Sequence, residues 1–276
     1  MQKARQKIWV IIGPTASGKS ARAVELAKRL NGEVISADSR QVYKGLNIGT
    51  GKITKREMQE VPHHMLDVAS PKKVFTAHDF AAMARPILED VVRRGKTPII
   101  CGGTGFYIDV LLGRIQLPQV PANPKLREKL EKKSAPELFA MLQKTDPRRA
   151  ADIDQHNPVR LVRAIEIAKA LGKVPELKAQ PLPFEIKWIK LTPNMKTLQR
   201  KIHDRLIARM NSGMLAEAKR LHAAGLSYKR MEEMGLEYRH LARFLQEKVS
   251  REKMLEELEQ DIVRYARRQE TYWRKM

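Results

Sequence analysis

"GPTASGKS" at residues 13–20 is the stretch that decides the fold class of this chain. It matches the pattern G-x-x-x-x-G-K-[ST] and lies between an apolar, β-rich run at residues 7–12 and a segment from Lys19 to Leu30 with helical spacing of apolar residues. The backbone N–H groups of such a loop and the N-terminus of its helix bind phosphate. Lys19 reaches terminal phosphate oxygens and Ser20 can ligate Mg²⁺. The stretch therefore predicts a di- or triphosphate site but leaves open what is attached to the phosphates.

Two further apolar runs predict strands that belong to the same sheet. They are "EVISAD" at residues 33–38 and "TPIICGG" at residues 97–103, with a helix that opens at a capping box on Thr76 between them. This alternation of strands and helices predicts an α/β fold, a P-loop core with a doubly wound parallel sheet. "FEIKWIKL" at residues 184–191 predicts another core strand. Basic amphipathic helices are predicted around residues 195–211, 214–224 and 251–275.

Proline residues mark an insertion in this core. They cluster where the chain leaves the core and where it returns, at Pro118, Pro121, Pro124, Pro175, Pro181 and Pro183. The segment between them contains charged helical stretches and no convincing strand. We therefore predict the first part of the α/β core at residues 1–114, an inserted all-helical domain at residues 115–183, and the second part of the core at residues 184–276.

The composition favours a polyanionic partner. The chain has 276 residues, of which 53 are Lys or Arg and 31 are Asp or Glu, giving a formal net charge of +22. Such an excess repels itself in a compact fold, and it fits nucleic-acid-modifying, ribosome-bound and acidic-membrane proteins alike. The one cysteine, Cys101, excludes an internal disulfide and favours a reducing compartment. Because the apolar run before Gly13 is too short for a secretory signal or a membrane span, we expect a soluble, cytoplasmic protein without a membrane partner.

Asp38 is the first candidate for a chemical role. It closes the second predicted strand, at the carboxyl edge of the sheet, where open α/β folds bind their ligands. Next to a phosphate loop, such a carboxylate can act as a general base or orient a substrate hydroxyl or amine. No acidic residue follows the strand "TPIIC", where many ATPases place the carboxylate that positions Mg²⁺. This absence from the sequence disfavours a motor or switch ATPase.

Three features are assigned to structure rather than to function. The adjacent pair His63 and His64 lacks a third ligand nearby in the sequence, which favours a structural role over a metal site. Gly32 is expected to take the left-handed conformation that ends the first helix. A stripe in the last helix predicts core packing by Met254, Leu255, Leu258, Ile262 and Tyr265.

Six blocks of the sequence resemble bacterial tRNA dimethylallyltransferases, the isopentenyl transferases that modify the adenosine beside the anticodon. The blocks are "GPTASGKS", "VISADSRQVYKGLNIGT", "PHHMLD", "CGGTGFYI", "NPVRLVRAIEI" and "YARRQETYWRK", in the order and spacing of that family. The likeness runs from about Ile8 to Arg274. It implies dimethylallyl diphosphate as donor, the anticodon stem-loop of tRNA as acceptor and Mg²⁺ as cofactor; we expect a monomer.

The resemblance also implies which residues perform the reaction. The diphosphate of the donor, not ATP, would occupy the loop formed by Gly13, Pro14, Thr15, Ala16, Ser17, Gly18, Lys19 and Ser20, with Ser20 as the metal ligand. The catalytic residues implied are Asp38, Lys19, Thr104 and Arg205. Asp38 matches the general base that accepts a proton from the adenine amine. Lys19 and Arg205 would stabilise the departing diphosphate, and Thr104 matches a residue that contacts the nucleotide.

Contacts to tRNA are implied in three places. Those around the reacting base involve Asp38, Ser39, Arg40, Gln41 and Thr104. Those in the insertion involve Arg127 and a second segment consisting of Gln155, His156, Asn157, Pro158, Val159, Arg160 and Leu161. The residues alone predict that Asn157 caps a helix and Pro158 occupies its first turn, so that Arg160 and Arg163 emerge from the same helix.

The residues leave three alternatives open. A small-molecule kinase of the shikimate or nucleoside type also combines a phosphate loop, an aspartate after the second strand and a glycine-rich turn, with ATP as the donor. A basic RNA-binding ATPase would hydrolyse ATP without transferring any group. An adenylate isopentenyltransferase would keep the chemistry and alkylate free adenylate. The net charge of +22 and the helical insertion favour an RNA acceptor.

Overall fold

The computed structural model describes residues 6–176 and 178–274. The chain forms two compact units, one from Met1–Leu112 with Leu182–Met276 and the other from Gly113–Pro181. These limits lie close to the predicted ends of the insertion at residues 115 and 183. The outermost parts of the two predicted core segments, residues 1–5 and 275–276, lie outside the described residues.

The larger unit is built on one parallel sheet. Its strands are β1 (Lys7–Ile12), β2 (Gly32–Ser36), β3 (His63–His64), β4 (Thr97–Cys101) and β5 (Glu185–Lys190), in the order β3-β2-β4-β1-β5. All neighbouring pairs run parallel, which confirms the predicted doubly wound fold. Strand β3 was not predicted, because two residues are too few to show an alternating pattern.

The sheet order brings three loops to one edge. Strand β4 lies between β1 and β2, with Ile11 and Ser36 both in register with Cys101. The strands are parallel, so the segments that follow Ile12, Ser36 and Cys101 leave the sheet side by side at its carboxyl edge. These segments are the phosphate loop, the stretch that begins at Ala37, and the glycine turn at residues 102–105.

Both faces of the sheet are covered. Helix α1 (Lys19–Leu30) packs Val24 and Ala27 into a cluster with Ile11, Val34 and Ile99. Residues at alternating strand positions point to the opposite face. There the side chains of Val10, Ile12, Ile35 and Ile100 are at most 1% exposed. Burial on both faces explains why these strands are continuous apolar runs in the sequence.

The sequence pattern predicted only some of the remaining helices of this unit. They are α2 (Lys55–Met58), α3 (Ala77–Arg93), α4 (Gly105–Leu111), α9 (Met195–Asn211), α10 (Met214–Ala223), α11 (Tyr228–Met234), α12 (Leu236–Leu245) and α13 (Arg251–Arg274). Helices α2, α4, α11 and α12 were not predicted. Within the two described ranges, no helix has the length and apolar content needed to cross a membrane.

Two helix ends test the sequence interpretation directly. The capping box at α3 is confirmed: Thr76 Oγ1 accepts from the Asp79 N–H, and Asp79 Oδ2 accepts from the Thr76 N–H over 2.8 Å. At the end of α1, Asn31 rather than Gly32 takes the left-handed conformation, with φ of 49°. Gly32 instead begins β2, where an added Cβ would lie 2.6 Å from the carbonyl oxygen of Thr97. Close strand packing is therefore the reason for this glycine.

The smaller unit is entirely helical where it is described. Its helices are α5 (Pro124–Leu130), α6 (Ala135–Thr145), α7 (Pro147–Asp152) and α8 (Pro158–Leu171). Its core contains Leu138, Leu142, Leu161 and Ile165, all of them 0% exposed. Glu166 is 2% exposed, and arginine side chains of this unit bind its carboxylate.

Candidate active site

The carboxyl edge of the sheet borders a cavity of about 840 Å³. That volume is in the usual range for sites that bind small molecules. The predicted site residues that line it are Thr15, Ala16, Ser17, Gly18, Lys19, Ser20, Asp38, Gln41 and Arg205. Gly13 and Pro14 are buried in the same loop. The structure thus brings the predicted phosphate loop, the candidate base Asp38 and Arg205 to one cavity of the larger unit.

The phosphate loop has the curled backbone that its glycines allow. Gly18 and Ala16 take positive φ angles of 90° and 60°, and the Ser17 N–H donates to the Pro14 carbonyl over 3.3 Å. Positive φ angles turn successive N–H groups inward, which creates an anion-binding concavity. The Ser17 Oγ atom is buried and has no hydrogen-bond partner among the described residues. A buried hydroxyl of this kind is available to an oxygen of a bound ligand.

Lys19 is folded back onto its own loop. Its Nζ atom donates to the Pro14 carbonyl over 2.5 Å. Burial lowers the pKa of Lys19 from 10.5 to about 8, and the nearby Asp38 carboxylate partly opposes this shift. A cation that is desolvated and held by one carbonyl has an incomplete set of partners. The position favours binding of an anion in the loop.

The loop also fits Mg²⁺ bound together with a diphosphate. Ser20 is the second residue of α1, is exposed and lines the cavity. Its hydroxyl is the hard oxygen ligand that Mg²⁺ accepts, and Mg²⁺ commonly takes its other ligands from phosphate oxygens and water. In the described part of the chain, no cluster of three or more His, Cys, Asp or Glu side chains could hold a metal by itself. A metal here would depend on the phosphate.

Asp38 is fixed in place by its own turn. Its Oδ1 atom accepts hydrogen bonds from the backbone N–H groups of Arg40 at 2.8 Å and Gln41 at 3.3 Å. The preceding residue, Ala37, donates its N–H to the Cys101 carbonyl over 2.8 Å. An added Cβ at Gly102 would lie 2.1 Å from the Ala37 carbonyl oxygen, so only glycine fits there. The glycine turn and the Asp38 segment are therefore packed backbone against backbone.

Thr104 connects that turn to the residue after Asp38. It is the N-cap residue of α4, but its side chain makes no local capping hydrogen bond. Instead Thr104 Oγ1 accepts from the Ser39 N–H over 3.0 Å, and the hydroxyl of Tyr265 lies beside it. Tyr265 lines the cavity, and burial raises its pKa to about 12. The predicted assignment of Tyr265 to core packing is therefore incomplete, because its hydroxyl end belongs to the site.

Arg205 reaches the cavity from α9. The apolar stripe of this helix buries Leu198, Ile202 and Leu206. Arg205 Nη2 donates to the Gly51 carbonyl over 2.9 Å. A Cβ added at Gly51 would lie 1.9 Å from Arg205 Nη2, so the guanidinium packs directly against this glycine. Burial, and secondarily the charge of Arg209, lowers the pKa of Arg205. Arg205 directly precedes Leu206 of the apolar stripe on α9, and its side chain lines the cavity.

The segment after Asp38 makes mostly internal contacts. Gln41 Nε2 donates to the Gly51 carbonyl over 3.3 Å, and Arg40 Nη1 donates to the Ser39 carbonyl over 3.4 Å. Ser39, Arg40 and Gln41 are all half-buried. Part of each side chain thus remains accessible to a ligand.

Gln269 is a site residue that the sequence interpretation missed. It is 6% exposed and lines the cavity. Its Oε1 atom accepts from the Thr15 N–H over 2.8 Å, and its Nε2 atom donates to the Gly103 carbonyl over 2.9 Å. An added Cβ at Gly103 would lie 2.1 Å from that Nε2 atom. The one available signal was its place in the block "YARRQETYWRK", to which no role had been given.

Glu217 was also missed, and it holds the loop that carries Gly51. Glu217 lies on α10 and is 3% exposed. It accepts from the backbone N–H groups of Asn47, Ile48 and Gly49 over 2.8 to 2.9 Å, and from the Tyr238 hydroxyl over 2.7 Å. Glu217 thus fixes the backbone beside the arginine contact.

The histidine pair has internal partners. His64 Nε2 lies 2.7 Å from the Glu33 carboxylate, and Arg94 binds the same carboxylate with two N–H groups. Arg94 lowers the pKa of Glu33 to about 2. His63 lines the cavity and contacts the Val61 carbonyl through Nδ1 at 2.8 Å. Burial lowers the pKa of His63, which favours a neutral ring.

The predicted residues of the insertion differ in exposure. Asn157 caps α8 by accepting from the Arg160 N–H over 3.1 Å, with Pro158 in the first turn as predicted. The residues whose side chains face solvent are Gln155, His156, Pro158, Val159 and Arg160. Leu161 is 0% exposed and packs in the core of this unit, so we leave it out of the proposed RNA-contacting set.

Arg127 and Arg163 both bind Glu166. Arg127 donates through Nε and Nη2 at 3.0 and 2.8 Å, and Arg163 binds the same carboxylate. Glu166 also accepts from the Asn123 N–H. Each arginine side chain is just over a third exposed. These two arginines therefore stabilise the insertion, and only part of each guanidinium is left for another partner.

Comparisons with known proteins agree on one family. The family model described as IPP transferase matches residues 41–276. The tRNA dimethylallyltransferase 2 of Citrifermentans bemidjiense is 43% identical over 273 residues, covering 98% of this chain and 87% of the relative. The full-length tRNA isopentenylpyrophosphate transferase from Bacillus halodurans aligns with 99% of this chain and 88% of its own, at 36% identity and a TM-score of 0.74. A eukaryotic dimethylallyltransferase acting on tRNA aligns with 96% of this chain and 69% of its own, at 28% identity and a TM-score of 0.82.

Proposed function

This chain belongs to the IPP transferase family, and we propose that the cavity at the carboxyl edge of its sheet is where the family's reaction takes place. The activity is that of a tRNA dimethylallyltransferase: a dimethylallyl group passes from dimethylallyl diphosphate to the N6 amine of the adenosine on the 3′ side of the anticodon. Diphosphate is released. One observation supports the proposed site above the others, namely that the phosphate loop and Asp38 line the same cavity.

The acceptor amine needs a base. The lone pair of an adenine N6 amine is delocalised into the ring, which makes it a weak nucleophile. In the proposed step, the bond between N6 and the allylic carbon forms while the bond between that carbon and the diphosphate oxygen breaks. The Asp38 carboxylate accepts the proton that N6 loses, and such a base typically contributes about 10²–10⁴-fold. Its turn hydrogen bonds to Oδ1 hold the carboxylate in one orientation for this task.

The departing diphosphate gains negative charge and needs positively charged or N–H partners. The electron pair of the broken bond goes to the diphosphate, where it is stabilised by the loop N–H groups, Lys19 and Arg205. Preorganised contacts of this kind are each typically worth about 10²–10³-fold. Mg²⁺, held by Ser20 and the phosphate oxygens, would supply further positive charge when bound. Support comes from the buried Ser17 Oγ and from Lys19, whose pKa is lowered to about 8 by burial.

The acceptor RNA is bound by two sets of residues in this proposal. Ser39, Arg40, Gln41 and Thr104 lie next to Asp38 and would contact the extruded adenosine. Extrusion from a single-stranded loop costs only a few kcal/mol. The exposed segment at residues 155–160 would contact the stem-loop through phosphates and base edges. The net charge of +22 supports a polyanionic acceptor.

We also propose that the enzyme acts as a monomer in the cytoplasm. The free Cys101 thiol, whose pKa burial raises to about 12, fits a reducing compartment and takes no part in the chemistry.

The direct test is mass spectrometry of tRNA nucleosides. The protein is incubated with unmodified tRNA, Mg²⁺ and dimethylallyl diphosphate, and we expect one added dimethylallyl group on the adenosine beside the anticodon. Parallel reactions replace the donor by ATP, or tRNA by adenylate. Phosphate transfer from ATP without alkylation would favour a kinase, and alkylation of adenylate in preference to tRNA would identify a free-nucleotide acceptor.

A further inference from the structure

We infer that Gln269 is a positioning residue that fixes the diphosphate loop relative to the glycine turn carrying Thr104. The inference rests on the proposed function, because it concerns the alignment of the leaving group and the acceptor. Its basis is the pair of hydrogen bonds from one side-chain amide, to the Thr15 N–H at 2.8 Å and to the Gly103 carbonyl at 2.9 Å. No motif or composition pattern had assigned this residue a role.

The chemistry of the two partners allows only one orientation of the amide. The Thr15 N–H can only donate and the Gly103 carbonyl can only accept, so Oε1 must face the loop and Nε2 the turn. Glutamine is the side chain of this length that offers both an acceptor and a donor. A carboxylate at the same position would keep the first bond and place a negative oxygen against the Gly103 carbonyl.

Other contacts of helix α13 fix the position of the Gln269 side chain. Tyr265 precedes Gln269 by four residues and lies on the same side of the helix. Its hydroxyl lies beside Thr104, so side chains of this helix contact the glycine turn at two places. Near its end, the Trp273 carbonyl accepts from Lys190 Nζ of β5 over 2.9 Å, and Trp273 itself is 0% exposed. The helix is thus anchored to the sheet that positions both loops.

The consequence for the reaction is geometric. Thr15 belongs to the loop proposed to hold the leaving group, while Thr104 binds the backbone of Ser39, next to Asp38. Losing Gln269 removes the direct side-chain link between these two parts and leaves the pairing of β1 with β4 to align them. A displacement of about 1 Å between reacting groups can lower a rate by about 100-fold. Gln269 therefore acts on turnover through the loop and the turn, without touching substrate.

Two variants of the full chain separate this role from general stability. Gln269→Glu is isosteric but cannot donate to the Gly103 carbonyl when ionised; Gln269→Met removes both hydrogen bonds without adding charge. Gln260→Glu makes the same chemical change at an exposed position of the same helix, where Gln260 contacts only Glu256 among the partners described. Melting temperature and circular dichroism establish that each variant is folded at the assay temperature.

We expect kcat for allyl transfer to fall by about 10- to 100-fold in both Gln269 variants and to remain at the wild-type level in Gln260→Glu. The ratio of the Gln269→Glu rate to the wild-type rate should rise by about tenfold from about pH 8 to about pH 5.5, because a protonated carboxyl can donate to Gly103. The corresponding ratio for Gln269→Met should not change with pH.

The inference is overturned if Gln269→Met keeps kcat within about twofold of wild type, or if a folded Gln269→Glu shows a pH-independent ratio. If Gln269→Glu does not fold, the kcat of Gln269→Met alone decides. Wild type and Gln260→Glu report separately on the proposed function. If neither protein transfers the allyl group, the proposed function fails. If both transfer it and the Gln269 variants are unimpaired, only the role of Gln269 is rejected.

Discussion

Lys19 donates a hydrogen bond from Nζ to the Pro14 carbonyl oxygen across 2.5 Å, within the loop that it is proposed to serve. Both residues belong to the glycine-rich stretch at 13–20. The contact holds the ammonium group beside the cavity. Burial at this position lowers its pKa to about 8, so the lysine is poised to lose its proton just above neutral pH.

Donor affinity should therefore depend on pH in a defined direction. The pKa of Lys19 is lowered by burial in the free enzyme, and a bound diphosphate favours the charged form. Binding then requires proton uptake above about pH 8, so affinity should fall by up to about tenfold per pH unit beyond it. The terminal phosphate is already ionised there, since its second pKa is about 6.

Calorimetry with dimethylallyl diphosphate between about pH 7 and about pH 9.5 measures this dependence. Lys19→Arg is the matched control, because an arginine stays protonated throughout that range and should give a flat profile. A wild-type affinity that stays constant across the range would contradict a Lys19 that binds the phosphate from a position where burial lowers its pKa.

Asp38→Asn is the sharpest test of the proposed base. Both turn hydrogen bonds to Asp38 go to Oδ1, and the carbonyl oxygen of an asparagine can accept the same two bonds from Arg40 and Gln41. The backbone should keep its shape while the basic oxygen is lost. We expect kcat to fall by about 10²–10⁴-fold with little change in tRNA affinity.

Single-turnover kinetics and filter binding measure these two quantities for the Asp38 variant. Asp204→Asn makes the same chemical change at an exposed position of α9 and should keep the wild-type kcat. If Asp38→Asn transferred the allyl group at the wild-type rate, Asp38 would not be the base that accepts the proton from N6.

Local sequence pattern was sufficient for the elements around the phosphate loop. The apolar period and the glycine spacing depend on neighbours in the chain, and β1, α1 and β4 lie where those patterns predicted them. Loops that follow neighbouring parallel strands leave the sheet at the same edge, and this rule predicted Asp38 near the phosphate loop. This inference required that the strands run parallel in one sheet, but not their exact order.

Contacts between distant residues could not be predicted in the same way. Gln269 and Thr15 are 254 positions apart, and nothing in the periodicity of α13 distinguishes a glutamine that faces the cavity. Tyr265 lies on the apolar stripe, so its period indicated core packing although its hydroxyl reaches Thr104. Gly32 was assigned to the helix end because glycine suits a left-handed position; Asn31 takes that conformation instead, and the close approach of Thr97 on the neighbouring strand accounts for Gly32.

Glu217→Gln should destabilise the fold and loosen the loop beside Arg205. Each carboxylate oxygen of Glu217 accepts two hydrogen bonds, so an NH₂ group at either position would face donors and leave them unpaired. We expect a loss of about 2–4 kcal/mol in the free energy of unfolding. Glu256→Gln, an exposed change on α13, should shift it by less than about 0.5 kcal/mol.

Denaturant titration followed by circular dichroism gives both unfolding free energies. A Glu217 variant as stable as the Glu256 control would mean that the loop at residues 47–49 finds other acceptors, and that Glu217 does not fix its backbone.

Arg160→Ala should weaken tRNA binding without destabilising the insertion. Arg160 is exposed, and the bond that Asn157 accepts comes from its backbone N–H, which alanine retains. If its guanidinium contacts a phosphate, the slope of log affinity against log salt should decrease by about one. Arg127→Ala should behave differently, because it removes a partner of the buried Glu166 and therefore lowers stability as well. Lys132→Ala, at a lysine that is 73% exposed in the same unit, is the control for simple loss of charge. A slope for Arg160→Ala equal to that of wild type would remove Arg160 from the RNA interface.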